Sequence, residues 1–67
     1  MTKIFTAVLH REGPWYVAQC PETGTASQGE TIEKAITNLQ EATQLYLEEF
    51  PMPENSRTIV TTFEIAA

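Results

Sequence analysis

A chain of 67 residues with a net charge of −5 has room for one domain, residues 1–67, and lacks the basic patch that a free nucleic-acid-binding module presents. Cys20 is the only cysteine, which excludes an intrachain disulfide, and His10 is the only other soft ligand, which nearly excludes a four-ligand structural zinc site. Chains this short hide only a modest fraction of their surface, so self-association is the remaining route to stability.

KIFTAVLH, residues 3–10, is rich in β-branched and aromatic residues and predicts a strand. REGP, 11–14, predicts a turn, with Gly13 open to positive φ and Pro14 unable to donate to a ladder. WYVAQC, 15–20, completes a hairpin, PETG breaks it, and TASQ, 25–28, predicts a short third strand. Thr31 is placed to cap a helix. Ile32, Ala35, Ile36, Leu39, Ala42, Thr43, Tyr46, Leu47 and Phe50 then recur as one apolar stripe, and Pro51 ends the run. TIVTTFEI, 58–65, alternates Ile59, Thr61, Phe63 and Ile65 against Val60, Thr62 and Glu64, which predicts a closing strand.

The expected order is β-β-β-α-β: an α+β fold with a small, mainly antiparallel sheet and one helix on one face. One helix covers one face only. Ile4, Val8, Trp15, Val17 and Val60 would occupy the other face, opposite Phe5, Leu9, Tyr16, Ala18 and Ile59. A second copy is the simplest cover, so a homodimer or a dimer of dimers is expected, with Trp15 or its strand at the contact.

Residues that carry chemistry are sparse. A lone histidine beside a turn is more often exposed and inert, and a lone cysteine is more often a small buried hydrophobe than a nucleophile. Acidic side chains act as general acids or metal ligands when they converge in a cleft. Glu33, Glu41 and Glu48 fall instead on the helix face opposite the stripe, where solvation alone explains most such faces. Glu30 and Glu33 crowd the helix N-terminus with negative charge, against anion binding there. No catalytic residue, metal ligand or cofactor site is expected, and the chain does not read as an enzyme. Leu45 lies among the glutamates, either as a single exposed leucine or as an apolar anchor in an acidic contact surface. Trp15, Glu41, Leu45 and Glu48 are the candidate partner-binding residues. MTKIFTAVLHREG lacks a basic region followed by a long apolar run, and no stretch approaches the roughly 20 apolar residues of a membrane span. With a free thiol as well, the cytoplasm is the expected compartment.

Trp15 and Tyr16; Cys20, Pro21 and Glu22; Gln28, Gly29, Glu30 and Thr31; Glu33, Ala35, Asn38, Glu41 and Ala42; and Tyr46 and Leu47 together form a pattern, matching in residue type and in spacing. Over residues 3–50 this pattern resembles the HicB-like antitoxin family, and TIVTTFEI resembles that family's closing strand. The resemblance implies a partial, degenerate ribonuclease-H-like unit without the nuclease carboxylates. It also implies a cytoplasmic antitoxin of a type II toxin-antitoxin system, whose acidic domain binds and occludes a small basic ribonuclease toxin. Full members append a DNA-binding module. The residues here match the N-terminal-type domain alone, so a short form is expected, with an orphan oligomeric scaffold or subunit as the alternative.

Overall fold

The computed structural model describes residues 3–52 and 58–66. Three strands and one helix form in chain order: β1 (Val8–Glu12), β2 (Trp15–Cys20), β3 (Thr25–Gly29) and α1 (Ile32–Glu49). The sheet is antiparallel throughout, in the order β1-β2-β3. The α+β reading and the first four expected elements hold.

The first hairpin is tighter than the expected REGP turn. Glu12 pairs with Trp15, so only Gly13 and Pro14 form the loop. Gly13 takes φ 57°, and the proline ring fixes a negative φ after it. Those signs match a type II′ turn, whose twist suits a two-residue hairpin. Glu12 is therefore a strand residue and not part of the turn. Arg11 pairs across the ladder with Tyr16, and its Cζ stands 5.9 Å from the ring centroid. Its Nε donates to the Gly13 carbonyl at 3.0 Å, which braces the turn.

The expected first strand began at residue 3, but the ladder begins at Val8, opposite Gln19. The reason lies in the partner. β2 ends at Cys20, and Pro21 has no N–H to extend it. Residues 3–7 therefore run beyond the sheet as an unpaired arm. The second loop spans Pro21–Gly24, closed by the Gly24 N–H donating to the Cys20 carbonyl at 2.8 Å, with Gly24 at φ 77°.

The helix starts where its cap allows. Thr31 has extended backbone, and its Oγ1 accepts from the Lys34 N–H at 3.1 Å. At the other end the Phe50 N–H donates to the Tyr46 carbonyl, and the two rings lie 5.0 Å apart. Pro51 follows and bars continuation.

Ala18, Cys20, Ala35 and Leu39 form the buried core, with Phe5, Leu9 and Tyr16 packed against it. α1 lies chiefly over β3 and, less closely, over β2. Gly29 makes that approach possible. A Cβ there would stand 2.6 Å from the Ala35 backbone nitrogen and 2.8 Å from the Lys34 carbonyl carbon. Two polar ties hold the same seam. Asn38 Nδ2 donates to the Gln28 carbonyl at 2.8 Å. Thr43, the buried polar residue of the helix, shares a 2.8 Å bond with Thr25 Oγ1, which in turn meets Thr23 Oγ1 at 2.7 Å.

Two further expectations change. Residues 58–66 join no ladder, so the closing strand over 58–65 does not form within the chain. Alternation reports that an extended segment has two unlike faces, not that a partner is in reach. Ile59, Val60, Phe63 and Ile65 are all exposed, Ile59 to 88%. The second sheet face is also less apolar than expected. Val8, Trp15 and Val17 share it with His10, Glu12, Gln19 and Gln28, while Ile4 and Val60 stand outside the sheet.

Candidate functional site

The outward side of α1 is an acidic ridge. Glu41, Leu45 and Glu48 follow at spacings of four and three, with Glu49 one step further, so they are neighbours on one face. All four are exposed, Leu45 to 65%. Glu33, Glu41, Glu48 and Glu49 against Lys34 leave the helix with a net charge of −3. No basic residue stands in the last turn. Glu48 and Glu49 thus meet the negative end of the helix dipole, an arrangement that weakens the helix. Among the described residues the one ion pair is His10 Nε2 with Glu12 Oε1 at 3.5 Å, on the sheet. The ridge carboxylates have no cation beside them there.

Trp15 lies elsewhere. It alternates with Tyr16, Ala18 and Cys20, which face the helix, so it sits on the far face of the sheet, 40% exposed, opposite Glu12. The structure thus gathers Glu41, Leu45 and Glu48 and separates Trp15 from them.

A second feature was not foreseen. On the helix side of the sheet a groove of about 560 Å³ opens between the N-terminal arm and α1. Phe5 and Ala7 of the arm form one wall, Ile36, Leu39 and Leu47 of the helix the other, and Cys20 the floor. It exists because α1 leans toward β3 and leaves the β1 side uncovered. The sequence signal available was the arm's apolar pattern without sufficient length of partner strand.

The arm is held by Glu22. Thr6 N–H donates to Oε1 at 2.9 Å, Thr6 Oγ1 donates to Oε2 at 2.7 Å, and the Cys20 thiol donates to Oε1 at 3.2 Å. Desolvation raises the pKa of this carboxyl, but the Thr6 bonds, the thiol and the residue's own backbone outweigh it. The pKa falls from its ordinary 4.5 to about 2.

The side chains capable of chemistry do not converge. His10 is on the far face of the sheet and exposed, while Cys20 is buried on the helix face. Among the described residues no three His, Cys, Asp or Glu side chains are grouped to hold a metal ion. Among them also, no helix is long and apolar enough to cross a membrane. Comparison with known protein families, characterised proteins and solved structures gave no match.

Proposed function

We propose that this domain is a binding module of HicB-like antitoxin type, which occludes a small basic ribonuclease toxin through the acidic ridge of α1. The observation that carries this reading is the ridge itself. Glu41, Glu48 and Glu49 surround an exposed leucine and have no cation beside them among the described residues. Two of these carboxylates also oppose the helix dipole, so a cationic partner relieves two unfavourable terms at once. Leu45 supplies the apolar centre and the glutamates the charged surround, an arrangement suited to fast, salt-sensitive capture of a basic surface. The motif resemblance over residues 3–50 supports the same partner class, and a cytoplasmic, non-enzymatic role goes with it. Trp15, on the opposite side, belongs to a separate contact in this reading.

The test is co-expression with short basic ribonucleases encoded beside this chain, read by growth and by binding in pure form. Rescue of growth is expected, with complex formation that weakens as salt rises. The double variant Glu41→Lys, Glu48→Lys should lose at least tenfold in affinity while staying folded. Glu48→Lys should even stabilise the helix by about 0.5 kcal/mol, since a cation suits its C-terminal end. Absence of rescue by the native chain, or a double variant that binds as well as the native chain, overturns the reading.

A second reading, an oligomeric scaffold without a toxin partner, is favoured by a different observation: the apolar side chains of residues 59–65 stand in water.

A further inference from the structure

The groove beside the arm and the tail beyond the helix are complementary. β1 is an edge strand, so one side of its backbone has no ladder partner. The groove lies just beyond the start of that edge, beside the arm at residues 3–7 that leads into β1, and is walled by Phe5, Ile36 and Leu47. Residues 58–66 are described, unpaired and exposed, and they alternate. Ile59, Thr61, Phe63 and Ile65 form the more apolar side, while Val60, Thr62 and Glu64 form the other. A strand laid along β1 and the arm that leads into it points every second side chain toward the helix side of the sheet. The first set would then enter the groove, and Glu64 would stay on the far face, beside a surface that already carries His10, Glu12 and Gln19.

We infer that the tail of a second copy occupies this place, by reciprocal exchange, so that each sheet gains its fourth strand from its partner. Two observations and the symmetry of exchange select a second copy. In the single chain the tail stands clear of the groove, with Phe63 83% exposed, instead of closing it. Among the described residues the buried apolar core holds one side chain larger than cysteine, Leu39, which leaves the single chain marginal and a second copy able to strengthen it. Exchange is two-fold by construction, each tail filling the other's groove, and so closes at a dimer. Two tails and two grooves with these side chains bury on the order of 1,500 Å², the size of a specific, stable interface. This goes beyond the ribonuclease reading and does not rest on it. It also moves self-association from the far sheet face, around Trp15, to the β1 edge.

The test uses the full chain alone, without a toxin, so its outcome is independent of that reading. Sedimentation at micromolar concentration should give the mass of two chains of 7.5 kDa each. Phe63→Asp with Ile59→Asp should return it to one. Because the variant could also lose its fold, hydrogen exchange on the native chain supplies a second readout. Backbone amides of residues 58–65 should be protected at least tenfold at concentrations where the dimer forms and lose that protection on dilution to monomer. A native monomer, a dimer unmoved by the double substitution, or tail protection that persists unchanged in the monomer overturns the inference. The last of these would mean that the tail closes its own groove.

Discussion

The two sides of this small domain are built to different standards. On the side of β3 and α1, glycine allows backbone contact, and a threonine chain and an asparagine tie strand to helix. On the side of β1, an arm is held by one carboxylate, a groove stands open and a tail carries four large apolar side chains in solvent. The first side is complete within the chain. The second has the composition of a core without its enclosure, which is the usual mark of an interaction surface.

Substitution on the closed side should therefore hurt the isolated chain most. Gly29→Ala places a methyl group against helix backbone that cannot yield as a side chain would. A loss of about 3 kcal/mol is expected, enough to unfold a marginal domain at room temperature. Circular dichroism during thermal melting would show it, and an unchanged midpoint would mean that the helix can stand further from β3. The sharpest contrast is between two large apolar residues. Leu39→Ala should cost about 2 to 3 kcal/mol at any protein concentration. Phe63→Ser should cost less than about 0.5 kcal/mol in dilute monomer, because its ring touches solvent there. Equal costs for the two in dilute solution would erase the distinction between the sides.

The remaining effect concerns the arm. Glu22 has a lower pKa when folded than its ordinary 4.5, so protonation favours the unfolded chain or the detached arm. The stability it contributes is fully present above about pH 4.5 and is lost progressively as pH falls toward 2. Glu22→Gln should cost about 1 kcal/mol at neutral pH through the weakened Thr6 bonds, and it should flatten that acid slope. Denaturant titration of both chains between pH 6 and 2 would measure this, and parallel curves would remove Glu22 from the account.

The closed side was largely legible in the sequence. The Thr31 cap, the stripe from Ala35 to Leu47 and the Pro51 stop are local signals, and local signals place a helix. The strand WYVAQC was read to its ends because Pro14 and Pro21 bound it. Gly29 in sequence marks no more than the end of the TASQ strand, while its larger role is close approach. A glycine with ordinary φ gives no sign in sequence of what its missing Cβ would strike. Thr43 fell on the stripe, but its partner Thr25 lies 18 residues away, and no periodicity reports such a pairing. On the open side the limits are of another kind. The arm at 3–7 and the tail at 58–65 have genuine strand patterns, and the patterns are silent about whether a neighbour exists. Of the candidate contact residues, Glu41, Leu45 and Glu48 share a face because helical geometry fixes it. Strand alternation likewise set Trp15 on the face away from the helix, with Val8 and Val17, and so apart from those three.

The burial of Cys20 makes the molecule its own reporter. The thiol sits on the groove floor, 1% exposed, and donates to the carboxylate that retains the arm. An alkylating reagent can reach the sulfur only when that neighbourhood opens. Because the chain has one thiol, a single adduct mass counts such openings without any introduced label. Its rate of appearance is then a clock for detachment of the arm. It should run faster as Glu22 is protonated, and slower whenever something is seated in the groove.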